Sequence, residues 1–466
     1  MMAAHNMVEA DSPDPAVFEN ASDAVNELCV RYETATAFLR ENFTDFLTGN
    51  SSGEKHRAYY PEVRITTTSF ARIDSRLSYG HVSSPGTYST TITRPDLFRD
   101  YLEHQLQLLM RNHGVTVEVA TSTTPIPLHF AFNEGDTVDA DSNGNRNAAI
   151  RDSFDTPDLA YMDDSIVNGD FEASQDQSLP LAPFTAPRVD YSLYRLAHYT
   201  GTSPHHFQNF VLFTNYQFYI DRFVEFAEQA LSDPASEYEE FVTPGNRMTC
   251  RHDCSEAQAN AAPLSRMPQM PAYHLKTKNR SGITLVNIGV GPSNAKTITD
   301  HIAVLRPHTW LMLGHCAGLR NTQSLGDYVL AHGYVREDHV LDEDIPISVP
   351  VPPLAEVQVA LQEAVAETTG LSGYDLKNIM RTGTVATIDN RNWELRDQSG
   401  PVHRLSQSRA IALDMESATI AANGFRFRVP YGTLLCVSDK PLHGELKLPG
   451  MATEFYRTQV NQHLKI

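Results

Sequence analysis

Two acidic residues near the C-terminus, Glu416 and Asp439, stand where two predicted strands end. Residues 410–413 form a short apolar run before Glu416, and residues 429–437 form a longer one, rich in β-branched side chains, before Asp439. Ligand sites in open α/β sheets lie beyond the carboxyl ends of strands, so this pair is a candidate for acid–base chemistry. The alternative is that each acid is a helix cap or a solvated loop residue.

The segment between the two acids is predicted to be helical. Residues 416–425 carry Ala and Ile at helical spacing, and Gly424 lies near the expected end of the helix. A strand, a helix and a strand over roughly thirty residues are typical of a βαβ unit. We therefore expect a mainly parallel sheet here, with the two acids at the ends of neighbouring strands.

The sequence DMES, which contains Glu416, and the later VSDKP, which contains Asp439, resemble motifs of the nucleoside phosphorylase superfamily. Within it, RVPYGTLLCVSDKPLHGELKLPG is similar to the AMP nucleosidase family. The superfamily resemblance covers residues 205–466 approximately, and the closer one extends over nearly the whole chain. It implies that Met415 and Glu416 hold the ribose, with Glu416 accepting bonds from the 2′- and 3′-hydroxyls. It also implies that Asp439 serves the purine N7 as an acid, positioned by Ser438.

The implied reaction is AMP plus water giving adenine and ribose 5-phosphate. It passes through an oxocarbenium-like sugar, by analogy with glycoside hydrolysis. Adenine is a poor leaving group as an anion, so Asp439 should protonate N7 or share a proton with it. Glu416 should stay ionised beside the cationic sugar.

The nucleophile is indicated by a departure from the superfamily pattern. Phosphorylases hold phosphate with an Arg in the first βα turn, and with an Arg and a Ser or Thr around a later strand. Here the turn contains Asn215 and no matching Arg, and Met312 and His315 fall at the later places. A free phosphate would be poorly held without those charges, which favours water as the nucleophile. We choose His315 as the residue that positions the water.

The 5′-phosphate needs local cations, and Arg320 is the first candidate because an Arg can bind a phosphate with two bonds. Lys440 and His443 follow Asp439 in the chain, and an ion pair with that acid is the alternative role for Lys440. His274 matches a phosphorylase His that reaches the ribose 5′ end across a dimer interface. The alternative is an ordinary surface or core histidine.

Three further residues are assigned to the substrate by resemblance. Gly289 and Gly291 belong to a Gly-x-Gly-x-Pro-Ser turn, in which Ser293 is expected to cap the following helix. The turn lacks the features of a P-loop or of a dinucleotide fingerprint. Trp393 is a candidate to contact the purine, and packing at a domain interface is its equal alternative.

Length and composition predict a globular protein of two domains. The chain has 466 residues, 41% hydrophobic and 20% charged, with a net charge of −20, which argues against a nucleic-acid partner. No signal peptide and no apolar run of about eighteen residues is present, so we expect no membrane partner and a cytoplasmic location. Cys250 and Cys254 flank His252, but no second zinc-like ligand pair follows, which favours a loop thiol pair. We expect no metal and no cofactor.

The N-terminal part is predicted to be a separate domain of α/β or α+β class. We expect disorder over residues 1–16, a domain over 17–184 that ends in an acidic loop and linker, and a catalytic domain over 185–466. In GTYSTTITRP, hydroxyls and Arg94 suit an anion, and an edge strand is the alternative. Arg94 is the remaining candidate for the 5′-phosphate. The resemblance implies that this domain is regulatory.

The predicted fold is thus α/β, a nucleoside-phosphorylase-like catalytic domain with a mainly parallel central sheet, plus a smaller N-terminal domain. The predicted function is AMP hydrolysis, with ATP and phosphate as possible effectors and a homohexamer as the family's assembly. Two alternatives stay open: a phosphate-dependent nucleoside phosphorylase and a module that senses AMP without turnover. We expect only a short helix after the catalytic loop.

Overall fold

The computed structural model of the chain forms two compact units, Met1–Tyr194 and Arg195–Ile466. The boundary predicted near residue 185 precedes the observed one, because a helix spanning 186–200 continues across it. The residues that the structure describes are 7–48, 54–68, 70, 80–132, 150–174, 177–251, 266–397, 399–445 and 451–466.

The first unit contains a five-stranded sheet in the order β2-β6-β4-β5-β7, packed against two long helices. Its strands are β1 (Met7–Glu9), β2 (Ala16–Phe18), β3 (Lys55–Arg57), β4 (Tyr59–Thr67), β5 (Gly86–Thr91), β6 (Val117–Pro125) and β7 (Leu179–Pro180). Its helices are α1 (Ala21–Leu47), α2 (Arg99–His113), α3 (Ser165–Asn168) and the start of α4 (Ala186–Thr200). The sheet is antiparallel except for β5 and β7, so this unit is of α+β class.

A helix cap and two strand pairings order the chain around residues 7–23, where disorder was partly expected. Asn20 caps α1, because its Oδ1 accepts hydrogen bonds from the backbone N–H groups of Ser22 and Asp23. Ahead of it, β1 pairs in parallel with β3, and β2 pairs with β6. The prediction of disorder therefore does not hold for residues 7–16, and residues 1–6 lie outside the described part. Most of the predicted acidic loop, residues 133–149, also lies outside it, as do His252 and Cys254.

The second unit is built on a ten-stranded sheet flanked by helices. Its strands are β8 (Phe210–Thr214), β9 (Glu240–Thr243), β10 (Arg247–Cys250), β11 (Ala272–Lys276), β12 (Ile283–Asn287), β13 (Thr309–Gly318), β14 (Tyr328–Glu337), β15 (Met380–Ile388), β16 (Ala412–Asp414) and β17 (Tyr431–Asp439). Its helices are α5 (Gln217–Ser232), α6 (Pro292–Ile302), α7 (Ala355–Thr369), α8 (Gly373–Ile379), α9 (Ser399–Gln407), α10 (Ser417–Phe427) and α11 (Met451–Lys465). The α/β class predicted for this unit is confirmed.

The sheet closes on itself. Its order is β10-β9-β11-β12-β8-β13-β16-β15-β14-β17, and β17 pairs back onto β13, so the last five strands form a ring. Within the described residues the sheet is mixed rather than mainly parallel. The strand–helix–strand prediction is right, but β16 and β17 are not neighbours. They lie on either side of β13, with β16 antiparallel and β17 parallel to it.

No helix in the described part of the chain is both long and apolar enough to cross a membrane.

Gly424 lies inside α10, which ends at Phe427, and does not mark the end of the helix as predicted. Close packing explains the glycine. A Cβ at this position would lie 2.8 Å from Cγ of Tyr431 and 2.9 Å from Nε1 of Trp310. Both aromatic rings are buried in the core of the sheet, so neither can move aside.

We predict that Gly424→Ala destabilises the protein by about 1–3 kcal/mol, because the added methyl overpacks this contact. Gly400 in α9 is the control, since its nearest neighbour would be Nη1 of Arg404 at 3.6 Å. Gly400→Ala should be neutral or stabilising by up to about 1 kcal/mol. Urea unfolding followed by circular dichroism measures both. Equal effects of the two substitutions would contradict the packing explanation.

Candidate active site

The central strand β13 changes partners along one side. There β8 pairs with Thr309–Met312 and β16 pairs with Ala317–Gly318, so no described strand covers residues 313–316 on that side. On the other side β17 runs alongside, and Asp439 is a register partner of Ala317. Leu413 of β16 is the opposite partner of the same alanine. The ends of β16 and β17 therefore meet at one point of β13.

Asp414 is the last residue of β16, three residues before α10 begins, and its role was not predicted from the sequence. Its carboxylate accepts hydrogen bonds from the N–H and hydroxyl of Ser417, with the N–H at 2.9 Å, and from Oγ1 of Thr387 at 2.5 Å. Thr387 Oγ1 in turn accepts from the N–H of Ala418 at 2.9 Å. An Asp that accepts the N–H three residues later is a local pattern that could have been found in the sequence, although the N-cap residue of α10 is Glu416 and no side chain caps the helix. The hydrogen bonds of Asp414 fix the turn that carries Met415 and Glu416.

Glu416 is almost completely buried, with 1% of its surface exposed. Its Oε1 accepts from the N–H of Gly291 at 2.7 Å, and its Oε2 accepts from Nδ2 of Asn215 at 3.0 Å. Burial raises the pKa of Glu416 to about 8, and the neighbouring charge of Asp414 raises it too, while the two donors lower it. This environment favours the protonated carboxyl, in contrast to the ionised state expected beside a cationic sugar.

The glycine turn after β12 supplies one of these donors. Gly289 and Gly291 have φ values of 69° and 115°, which only glycine adopts readily, and Pro292 follows as the first residue of α6. This backbone lets the N–H of Gly291 reach Glu416. The expected cap at Ser293 is wrong, because Gly291 is the N-cap residue and no side chain caps the helix.

Asp439 and Ser438 form a bonded pair at the end of β17. The Ser438 hydroxyl has two acceptors within reach, Oδ1 of Asp439 at 2.6 Å and the carbonyl of Cys316 at 3.4 Å. Burial raises the pKa of the Cys316 thiol, and the nearby Cys436, Asp414 and Asp439 raise it further. Asp414 and Asp439 are therefore both close to Cys316, and the structure brings the two predicted strand ends together.

Lys440 bonds neither of the partners predicted for it, a substrate phosphate or Asp439. Its buried ammonium donates to Oε1 of Glu445 at 2.6 Å and to the carbonyl of Asn321 at 3.2 Å. Both roles predicted for Lys440 are thus unsupported, because the loop after β17 folds back to supply the carboxylate. His443 is exposed, and its Nε2 lies 3.4 Å from the carbonyl of Leu319.

His274 lies away from this site, in the interior of the sheet. It is fully buried on β11, with Nδ1 2.9 Å from Oγ1 of Thr284 and Nε2 2.9 Å from Oγ1 of Thr202. Burial holds its pKa well below the usual value. Both nitrogens are occupied, so the predicted reach to a ribose does not fit, and the alternative of a core histidine does.

His315 and Met312 lie on β13 at the predicted places. The His315 ring is buried among aromatic rings, with centroids 4.8 Å from Tyr216, 5.6 Å from Tyr219 and 6.5 Å from Phe455. Successive side chains of a strand point to opposite faces, so His315 faces away from Gly314 and Cys316. Its assignment to the water stays a prediction.

The last three candidates are Trp393 and Arg320 in the second unit and Arg94 in the first. Trp393 is buried in a cluster with Leu319, Leu405 and Leu413, and it lines a cavity of about 220 Å³. It packs within the second unit, so a domain-interface role is not needed to explain its burial. Arg320 follows β13, and its guanidinium makes no hydrogen bond or ion pair within the described residues. Arg94 lies in the first unit, where it binds Asp96 at 3.1 Å.

Comparisons with known proteins identify the family. Residues 23–178 match a family model described as the bacterial AMP nucleoside phosphorylase N-terminus, and residues 258–464 match the phosphorylase superfamily. The AMP nucleosidase of Escherichia coli (strain K12) is 47% identical over 452 residues, covering 96% of this chain and 92% of that protein. The chain belongs to the AMP nucleosidase family. The family assignment confirms the resemblance read from the DMES and VSDKP motifs.

Solved structures of related proteins include an AMP nucleosidase from Bacteroides thetaiotaomicron, 25% identical, with a TM-score of 0.42, covering 59% of this chain and 96% of that one. A purine nucleoside phosphorylase from Toxoplasma gondii is 18% identical, with a TM-score of 0.41, covering 57% and 92%.

We predict that Glu416→Gln flattens the pH dependence of stability. The folded carboxyl holds its proton more tightly than the unfolded one, whose pKa is 4.5. The folded state is therefore favoured at low pH and loses stability as the pH rises from that value towards about 8. Glutamine cannot ionise, which removes this loss, although Asp414, whose pKa burial also raises, leaves a residual slope.

Urea unfolding at about pH 5 and about pH 8 measures the difference. The exposed Glu367 provides the control, and Glu367→Gln should keep the wild-type slope. If Glu416→Gln loses as much stability over this range as the wild type, the carboxyl ionises in the folded protein without penalty.

Proposed function

We propose that this member of the AMP nucleosidase family hydrolyses AMP to adenine and ribose 5-phosphate, with Asp439 as the general acid and water as the nucleophile. The observation that carries the proposal is the similarity to a curated AMP nucleosidase over 96% of the chain. The geometry around β13 supports it, because an acid and a ribose-binding carboxylate stand at strand ends that meet.

The leaving group is assigned to Asp439. Its Oδ1 accepts from Ser438, which fixes the carboxyl plane and leaves Oδ2 to face the purine N7. A proton delivered there lets the electron pair of the breaking C1′–N9 bond stay on neutral adenine. General acid catalysis of this kind contributes on the order of 10²–10⁴ in rate.

The ribose is assigned to Glu416, with Met415 beside it. Each carboxylate oxygen has already accepted one N–H, from Gly291 or Asn215, and retains a lone pair for a ribose hydroxyl. A developing positive charge on the sugar favours the ionised carboxyl, so binding of the transition state should lower the pKa of Glu416 from about 8. The ionised form of Glu416 that the sequence led us to expect is then the form in the complex with the reacting substrate.

Phosphorolysis is the second candidate, because residues 258–464 match the phosphorylase superfamily. Met312 and Asn215 argue against it, since neither offers a positive charge to an inorganic phosphate. Adenine release in phosphate-free buffer tests the choice. A rate that requires phosphate, with ribose 1,5-bisphosphate as product, would establish the phosphorylase instead, and AMP binding without adenine release would establish a sensing module.

Family resemblance supports four further proposals. They are a regulatory role for the first unit, ATP and phosphate as its effectors, assembly into a homohexamer, and a cytoplasmic location. The match of residues 23–178 to the N-terminal family model is what supports the first of them.

We predict that Asp439→Asn binds AMP but loses at least about a hundredfold in kcat, because the amide is nearly isosteric and cannot deliver a proton. Steady-state adenine release measures kcat, and equilibrium dialysis measures AMP binding. Asp375→Asn, on the exposed side of α8, is the control and should match the wild type. Turnover within about tenfold of the wild type, or roughly 1.4 kcal/mol of barrier, would rule out Asp439 as the main acid.

We predict that Arg320→Ala raises the KM for AMP by about tenfold or more while changing any weak activity on adenosine much less. The reason is that a guanidinium contact to the 5′-phosphate matters only for the substrate that has one. Arg247→Ala, an exposed position on β10, is the matched control. Equal effects on both substrates would mean that Arg320 supports the fold, and the search would then turn to Arg94.

A further inference from the structure

Asn215 occupies a place in the site that no sequence motif assigned to it. It follows β8, whose Phe213 pairs with Met312 of β13, so the chain carries Asn215 alongside Gly314. This is the stretch of β13 that β8 and β16 leave uncovered. The amide Nδ2 donates to Oε2 of Glu416 at 3.0 Å, which fixes the side chain next to the residue proposed to hold the ribose.

Fixing Nδ2 on a carboxylate also fixes the direction of the amide oxygen. Oδ1 is buried and has no hydrogen-bond partner among the described residues. Buried polar atoms of native proteins nearly always have a partner, and an exception marks strain, a function or an ordered water. Beside a cationic sugar, where Glu416 is expected to be ionised, the flipped amide is excluded because it would place two acceptor oxygens against each other.

Gly314 of β13 lies beside Oδ1 of Asn215. A Cβ on Gly314 would lie 3.7 Å from Oδ1 and 2.9 Å from Cε of Met312. The oxygen therefore lies near the backbone of Gly314 and an apolar methyl group. By resemblance, this turn matches the one in which phosphorylases bind phosphate. An acceptor in such a setting suits a neutral molecule that donates a hydrogen bond, and repels an anion.

We propose that Asn215 is a catalytic residue whose Oδ1 accepts a hydrogen bond from the attacking water and orients it towards C1′ of the ribose. This inference rests on the proposed hydrolysis. It replaces His315 in that task, because the His315 ring faces the opposite side of β13 among aromatic rings. Asn215 thereby links two functions through one planar group: Nδ2 holds the ribose-binding carboxylate and Oδ1 holds the nucleophile.

The step balances without any further reactant. The water oxygen forms a bond to C1′ while the C1′–N9 bond breaks and its electron pair goes to the purine. Asp439 gives its proton to N7, the attacking water loses one proton to solvent, and Asp439 recovers one from solvent. The amide is not a base, so its contribution is orientation alone.

The test compares Asn215→Ala with the wild type, with and without sodium azide. Azide attacks carbon without giving up a proton, so it needs no acceptor to orient it. We expect Asn215→Ala to lower kcat for AMP on the order of tenfold to a hundredfold. Azide should then restore adenine release and yield ribosyl azide 5-phosphate, detected by mass spectrometry. The wild type should gain little, and Asn461→Ala, an exposed position on α11, should behave like the wild type.

The outcomes distinguish a failure of the role of Asn215 from a failure of the hydrolysis. If the wild type releases adenine in phosphate-free buffer but azide fails to rescue Asn215→Ala, and the preference for AMP over 2′-deoxy-AMP collapses, Asn215 acts only through Glu416. That result overturns the role in orienting water and leaves the hydrolysis intact. If the wild type releases adenine only when phosphate is added, the hydrolysis itself is wrong and the role of Asn215 fails with it.

Discussion

A carboxyl group taken out of water has to be met by donors, and the second unit is arranged around this requirement at Glu416. One donor is the N–H of Gly291, which points at the carboxyl because two glycines adopt left-handed conformations before α6. The other is the amide of Asn215, at the end of β8. Asp414, two residues earlier, accepts the N–H of Ser417, the first residue of α10. Two separate segments of the chain, the turn before α6 and the end of β8, are thus held to the Glu416 side chain.

The same burial determines how the site responds to its ligand. Burial and the neighbouring charge of Asp414 raise the pKa of the Glu416 carboxyl, and its environment favours the protonated form. A cationic sugar would supply the missing positive charge and draw the proton off. The group is therefore more complementary to the charged transition state than to the neutral ground state, and this difference is what accelerates a reaction.

The sequence predicted the local features of the site better than its long-range ones. The strand ends at Asp414 and Asp439, the helix between them and the turn at Gly291 all follow from short patterns of apolar and small residues. The separation of β16 from β17 by β13 does not, because pairing between distant strands leaves no mark on either strand alone. Lys440 donates a hydrogen bond to Glu445, and His274 is hydrogen-bonded to two threonines. No spacing rule predicts these contacts. The sequence drew attention to Asn215 only because the turn that contains it lacks the arginine of the phosphorylases.

The closed ring of strands also bears on when the site can form. β13 needs β17 along one side and β16 at its end, and β17 is the last strand of the chain in the described residues. During synthesis, β8 and β13 emerge more than a hundred residues before Asp439 does. Until then β13 has an open edge, and pairing across so long a separation is slow. In a nascent chain the residues around Glu416 and Asp439 would therefore stay apart, and they would come together when β17 closes the ring.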